Sequence, residues 1–294
     1  MSSERNHVKS FHSHPYPYLA SCAEGIEDIV ANELRLLGIN QLSISTSGVY
    51  FNSDEDKLKE LQSRVRTVNY IYRVQGGLAV DSKSEKDDID SRTDTVFTKL
   101  AGPLYLRDYR VYNHPSSLMP TVAASLLLTT DMSRDLIDPF VGGGTIVIED
   151  ALMTNMSKKE SLPYRVKHHR ILGIDISPKH LSGAKKNARI AGVSDMIHLM
   201  LDDSTKVRLD ARYSRMVTNP PFGVRGSKRE RIIKLYERFV SNIDNLLLHG
   251  SEGVIITSDW KILEAEMRQR GIVVRSIRRI RHKKLWTGAI YFTL

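Results

Sequence analysis

With a single cysteine, Cys22, in 294 residues, the chain can form no internal disulfide and no cysteine-based zinc site. Cys22 itself lies in an apolar stretch and reads as a small packed residue. Long apolar runs are also missing, and none reaches the length of a membrane span. Met1-Ser2-Ser3-Glu4-Arg5 supplies neither the apolar core nor the cleavage site of a signal peptide, so a cytoplasmic protein is expected. Histidines occur in pairs, His12-x-His14 and His168-His169, without the acids or cysteines that would complete a metal site. They read as surface histidines, and no metal is expected. Acids are the remaining deficit: 43 Lys and Arg stand against 34 Asp and Glu, for a formal net charge of +9 and a pI near 9.5. That balance favours a polyanionic partner and does not distinguish RNA from DNA. The rest of the composition, 41% hydrophobic and 26% charged, is that of a globular protein of one or two domains.

What is present is organised around Arg215-Met216-Val217-Thr218-Asn219-Pro220-Pro221-Phe222-Gly223. Met216 to Thr218 reads as the end of a buried strand. Asn219 falls at the strand tip, and Pro220 and Pro221 take the backbone out of any regular ladder. A flat base can stack on Phe222 while its exocyclic amine donates to the Asn219 side-chain oxygen and the Pro220 carbonyl. Those acceptors would aim the nitrogen lone pair at an electrophile. Taken alone, the same four residues also suit a plain proline turn after a strand. Basic residues follow directly, Arg225, Lys228 and Arg229 among them, and a second cluster near the C-terminus includes Arg279 and Arg281. A run of charge beside a base pocket points to phosphate contact.

A second motif, Leu136-Ile137-Asp138-Pro139-Phe140-Val141-Gly142-Gly143-Gly144-Thr145, reads as strand, glycine loop and a helix from Thr145 through Ala151. The glycines permit close approach of a ligand, and the helix start offers free N–H groups. Val147 stands where a dinucleotide fingerprint has its third glycine, and no Gly-Lys-Ser/Thr follows. The Asp138 carboxylate would repel a pyrophosphate and attract an ammonium or sulfonium. Leu172-Gly173-Ile174-Asp175 is another apolar run ending in an acid, placed for ribose hydroxyls. A third, Ile197 to Leu201, ends in Asp202-Asp203, where either acid can accept from an adenine amino group.

From Pro120 onward strands and helices alternate, which implies a parallel sheet covered on both faces with its ligand at the strand carboxyl ends. Upstream, Tyr18–Cys22, a helix at Glu27–Leu37, a hairpin around Gly48, a helix at Leu58–Thr67 and a strand at Val68–Val74 make a β-α-β-β-α-β, ferredoxin-like order. The expected domains are 1–76, a linker at 77–108 marked by the polar run Asp81 to Asp88, and 109–294. The fold class is α/β, a Rossmann-like domain preceded by a small ferredoxin-like α+β domain.

The glycine loop with Asn219-Pro220-Pro221-Phe222 resembles the class I S-adenosylmethionine-dependent methyltransferases, in the branch acting on exocyclic amines of nucleic-acid bases. Gly102 to Arg107 and Tyr109 to Pro120 resemble the lead-in segment of THUMP-family tRNA guanine-N2 methyltransferases. Gly25-Ile26-Glu27 and Arg64 to Thr67 resemble that family's N-terminal ferredoxin-like domain. The chain departs from the family between these parts, where a THUMP module of roughly a hundred residues has no room. The resemblance implies S-adenosylmethionine held by Leu118, Pro120, Asp138, Phe140, Gly142, Gly144, Thr145, Asp175, Ile176, Asp203 and Asn219. It implies catalysis by Asn219, Pro220, Pro221 and Phe222 at N2 of guanosine in tRNA, with a protein partner as one substitute for the missing module. Ribosomal-RNA guanine-N2 and adenine-N6 methylation, or a silent RNA-binding subunit, use the same motifs and stay open at this point.

Overall fold

Two sheets carry the chain, each set by its hydrophobic periodicity. The computed structural model describes residues 16–46, 48–75, 96–113, 116–159, 169–222, 227–282 and 284–294. The first sheet comes from β1 (Tyr18–Ser21), α1 (Glu27–Leu36), β2 (Leu42–Ser45), β3 (Gly48–Phe51), α2 (Glu55–Arg64) and β4 (Tyr70–Gln75). This is the expected β-α-β-β-α-β order. Asp54 caps α2 by accepting from the Lys57 N–H at 2.7 Å, which starts the helix before the apolar pattern at Leu58. The strands run antiparallel in the order β2-β3-β1-β4, and a fifth strand adds beyond β4.

The fifth of these strands corrects the expected linker. Val96–Ala101 forms β5 and pairs with β4, covering what would otherwise be a sheet edge. Its sequence, Val96-Phe97-Thr98-Lys99-Leu100-Ala101, lacks the alternation that marks a strand, and residues 76–95 lie outside the described ones.

The second sheet begins after α3 (Pro120–Leu128), with β6 (Leu136–Asp138), α4 (Thr145–Lys159), β7 (Ile171–Asp175), α5 (Pro178–Ile190) and β8 (Ile197–Leu201). The chain then returns through β9 (Tyr213–Thr218), α6 (Ser227–Leu246), β10 (Leu247–Thr257), α7 (Trp260–Gln269), β11 (Val273–His282) and β12 (Leu285–Thr293). The order is β11-β12-β10-β9-β6-β7-β8, parallel from β10 to β8, with β12 antiparallel to both its neighbours. Winding outward from β6 and returning at β9 leaves a switch point between those two strands, the place where such sheets bind ligands. No helix among the described residues is long and apolar enough to cross a membrane.

The helices α6 and α7 pack a cluster of their own around Tyr236, Phe239 and Leu263. One apolar core joins the two sheets, from Ile26 before α1 and Val30 and Leu34 on it to Val122 and Leu126 on α3 and Ile280 on β11. Burial pushes the thiol of Cys22, packed against it, up to about 12, as suits an inert residue. Ionic contacts fix the two domains further. Arg278 on β11 forks onto Asp28 at 2.6 and 2.8 Å, and the Arg281 N–H donates to the Glu24 carbonyl. At Gly25, with φ near +97°, an added Cβ would lie 2.0 Å from the Arg279 carbonyl oxygen, so only glycine lets the strand come this close. Deeper in, fully buried Glu149 on α4 accepts from Arg66 Nε and Nη2 at 3.0 and 2.6 Å, Arg107 Nε at 3.1 Å and the Tyr109 hydroxyl at 2.8 Å. Burial alone would raise its carboxyl, but Arg66 and Arg107 outweigh it and hold the group below the usual range.

His169 is not the surface histidine its sequence context indicated. It is buried, 2.6 Å from Asp150, whose other oxygen takes Arg215 Nη2 at 2.6 Å. The partners come from α4 and β9, which adjacency in sequence could not reveal. Arg215 pairs in register with Leu136, so this network lies at the opposite end of β6 from Asp138. His168, His12 and His14 lie outside the described residues.

Glu149→Gln leaves two buried guanidinium groups without their countercharge. Equilibrium denaturation is expected to show a loss of about 3–5 kcal/mol; a loss well under 1 kcal/mol would mean the cluster is not what joins the domains.

Candidate active site

The register of the second sheet sets Leu136 and Ile137 beside Arg215 and Met216, so β6 and β9 end together. Asp138 closes one strand and Thr218 the other, and Thr218 Oγ1 donates to Asp138 Oδ1 at 2.6 Å. The Phe140 N–H donates to the same oxygen at 3.1 Å. A cleft of about 330 Å³ opens directly above.

Its floor is the glycine loop. Gly142 adopts φ near +52°, and the Cβ it lacks would meet only the Phe140 carbonyl oxygen, at 4.0 Å. The Gly142 N–H donates to Asp175 Oδ2 at 3.0 Å, which ties the loop to the tip of β7. The other Asp175 oxygen accepts the Ser177 N–H at 2.8 Å and lies 3.2 Å from His180 Nδ1. Ile176 beside it is 70% exposed, a large apolar face kept toward the cleft. Asp202 and Asp203 form the next stretch of wall. Asp203 Oδ1 caps its own turn by accepting from the Thr205 N–H and hydroxyl, while Asp202 Oδ1 accepts the Asp203 N–H at 2.7 Å.

The opposite wall is the lead-in segment. Asn187 on α5 holds it: its Oδ1 accepts the Tyr112 N–H at 2.9 Å, and its Nδ2 donates to the Tyr112 and Gly143 carbonyls. Ser116, Ser117 and Leu118 line the cleft, and the Ser116 carbonyl accepts from Asn219 Nδ2 at 3.1 Å. A carbonyl can take only the NH2 end of a carboxamide, so Asn219 is left with Oδ1, a pure acceptor, for a ligand. Behind it the Tyr236 hydroxyl on α6 donates to the Pro221 carbonyl at 2.9 Å and sits 2.8 Å from Thr257 Oγ1. Burial pushes this phenol further up, so it stays protonated and able to donate.

Of the residues expected at the site, Leu118, Asp138, Phe140, Gly142, Thr145, Asp175, Ile176, Asp203, Asn219, Pro220 and Pro221 all line this one cleft. Three others do not. Pro120 is buried at the first position of α3, where its fixed φ serves the helix start. Gly144 faces protein, since its Cβ would meet Ile148 and Ala184 at 3.1 and 3.2 Å. Phe222 is half-buried and stands off the cleft wall. Of the basic residues, Arg229 and Arg279 are exposed, the latter over the Trp286 ring at 5.1 Å, and exposed Arg281 pairs with Glu24 at 3.3 Å. Arg225 lies outside the described residues. Sequence reasoning missed Asn187, His180 and Tyr236 as wall-builders, since nothing local marks a helix residue that reaches another element.

A fully buried carboxylate facing a cleft, with no cationic side chain paired to it among the described residues, suits a ligand that brings its own positive charge. A second acid for a diol and an exposed isoleucine beside further acids complete a site for a cationic nucleoside. Fold and cleft together define a class I methyltransferase whose methyl donor is S-adenosylmethionine. Residues 107–288 match the family described as RMKL-like, methyltransferase domain, and the chain belongs to it. Residues 17–72 match the RlmL ferredoxin-like domain. Among relatives, a tRNA (guanine(6)-N2)-methyltransferase of Methanocaldococcus jannaschii is 30% identical over 260 residues, 76% of this chain and 68% of that one. The protein of the same name from Archaeoglobus fulgidus is 31% identical over 296 residues, 87% of this chain and 75% of its own. The solved structure of SMU.472, complexed with SAH, shares the fold at a TM-score of 0.75 and 18% identity, over 95% of this chain and 98% of that one.

Burial raises the Asp138 carboxyl to about 7, helped by the nearby Asp175 charge and opposed by the bonds from Thr218 and Phe140. A cation bound beside it favours the ionised form. Below that pH binding must therefore expel a proton, and affinity for S-adenosylmethionine should fall about tenfold per pH unit. Titration calorimetry from pH 5.5 to 8 should show the rise and a plateau above about 7, absent in Asp138→Asn. A flat wild-type profile would remove Asp138 from the cation site. Tyr236→Phe should keep donor affinity and lower kcat about tenfold, by freeing the Pro221 carbonyl; equal loss in both would mark Tyr236 as merely structural.

Proposed function

We propose that this chain methylates the exocyclic N2 of guanosine in tRNA. The observation that carries the proposal is the Asn219 carboxamide on the cleft wall, whose Nδ2 is engaged by the Ser116 carbonyl and whose Oδ1 remains as an acceptor. An exocyclic amine is a donor whose lone pair is drawn into its ring, and it needs acceptors to orient it. Asn219 Oδ1 and the Pro220 carbonyl would take its two hydrogens and direct the nitrogen along the cleft toward the glycine loop. Pro220 and Pro221 limit backbone motion at this corner, and Tyr236 holds the second of their carbonyls. Phe222 would stack on the base once it is flipped out of its helix.

When bound, S-adenosylmethionine supplies a methyl group made electrophilic by its sulfonium. Leu118, Asp138, Gly142 and Thr145 would hold the methionine end, Asp175 the ribose, and Ile176 with Asp203 the adenine. No general base is required of the protein, because the amine can lose its proton to solvent after the carbon–nitrogen bond forms. Arg229, Arg279 and Arg281 would meet phosphates, together with Arg225 and Lys228. The names of the two archaeal relatives, matched over two thirds or more of their length, favour tRNA and guanine N2 over the other nucleic-acid amines.

Purified protein given labelled methyl donor and separate tRNA, rRNA and DNA pools should place N2-methylguanosine in tRNA alone. Methyladenosine, or label in another pool, would overturn the assignment. Asn219→Ala is expected to lose about 10²–10³-fold in kcat with donor affinity nearly unchanged, measured by single-turnover kinetics and calorimetry.

A further inference from the structure

The first sheet has two faces, and the site described above uses neither. Tyr18, Ala20, Val49, Phe51 and Ile71 point to the helices and belong to the core. Because side chains alternate along a strand, Leu19, Tyr50, Tyr70 and Tyr72 stand on the other face. Leu19 pairs in register with Tyr50 on one side and Tyr72 on the other, and Tyr72 pairs with Lys99 on β5. Ring centroids of Tyr70 and Tyr72 are 5.8 Å apart, and those of Tyr72 and Phe97 are 6.2 Å apart. Tyr105 extends the run, 5.8 Å from Tyr70, and Lys99 Nζ lies 5.4 Å from the Tyr70 ring centre.

Nothing in the core calls for these rings. Phe97 is 46% exposed, and Tyr70, Tyr72 and Tyr105 keep part of their surface in water. The five strands of this sheet contain no aspartate or glutamate, and Lys99 stands on the outer face beside Tyr72, whereas Arg73 lies on the helix side, across from Tyr18 and 3.6 Å from Glu55. An aromatic face without acids, on a chain of net charge +9, complements a polyanion that also offers flat apolar rings. Unpaired RNA is such a ligand: splayed bases stack on aromatic side chains, and RNA-recognition domains use aromatics on a four-stranded sheet in this way.

We propose that the outer face of the first sheet, tiled by Tyr70, Tyr72 and Phe97 and flanked by Lys99, binds an unpaired stretch of the substrate RNA by base stacking. This rests on RNA being the substrate, as proposed above. It gives the ferredoxin-like domain a role in substrate capture separate from the methyl-transfer cleft.

The test compares binding of an unmodified tRNA transcript by the full chain and its Tyr72→Leu, Tyr72→Phe and Phe97→Ser variants. Tyr72→Leu is expected to weaken RNA binding about tenfold, and Tyr72→Phe to leave it unchanged because the ring remains. The exposed Phe97→Ser, which cannot disturb the core, should lose several-fold. Affinity for S-adenosylmethionine and the salt dependence of RNA binding should stay at wild-type values, since no charge is removed. Unchanged RNA affinity in all three variants would overturn the inference and leave the face to a protein partner, as would equal losses in Tyr72→Leu and Tyr72→Phe. Transfer to tRNA is scored separately. Intact N2-methylation with ring-independent binding sinks this inference alone, and ring-dependent binding without methylation sinks only the proposed activity.

Discussion

Asp138 and Thr218 lie 80 residues apart in sequence and 2.6 Å apart in space, joined by one hydrogen bond. That bond marks the switch point of the second sheet, where the outgoing half of the fold meets the returning half. Everything chemical in the cleft is a neighbour of one partner or the other. The glycine loop follows Asp138, and Asn219 follows Thr218. The same bond keeps a buried carboxylate partly satisfied while leaving its charge unopposed by any cationic side chain described. Such a group stores electrostatic free energy that a positively charged ligand releases.

The acceptor at Asn219 depends on a second layer of contacts. Asn187 ties Tyr112 of the lead-in segment to Gly143 of the glycine loop. The Ser116 carbonyl in turn engages the NH2 end of the Asn219 amide. Further back, Glu149 sits one turn beyond the start of α4 and gathers Arg66 from the first domain and Arg107 and Tyr109 from the lead-in segment. The ferredoxin-like domain is thus connected through buried charge to the helix that opens after the loop. The charges compensate one another, whereas any one removed would leave the others desolvated and unpaired.

The strand tips were legible because their signals are local. Apolar runs ending in Asp138, Asp175 and Asp202-Asp203, and a strand stopped by two prolines at Asn219, each carry their meaning within a few residues. The same holds for the ferredoxin-like order and for Thr145 as a helix start. Misreadings arose where the meaning is set by a distant partner. Gly144 looks like part of a ligand loop, but its open side is filled by Ile148 and Ala184. Pro120 serves its helix start. His169 reads as a surface residue because no acids or cysteines flank it, yet Asp150 and Arg215 draw it inside. The strand at Val96–Ala101 hid behind an acidic and polar stretch whose composition says nothing about what pairs next.

By itself the sequence determined which residues could end strands, which loop could approach a ligand, and that the partner would be anionic. Spacing and side-chain chemistry settle these within a handful of positions. Only the tertiary structure decided that four acids and one carboxamide open on a single cleft, and that the Ser116 carbonyl engages the NH2 end of that amide. It also decided that Tyr50, Tyr70 and Tyr72 of the first sheet stand together on its outer face. Those outcomes depend on strand register and on hydrogen bonds between residues tens of positions apart, and register is fixed by packing of the whole sheet against its helices.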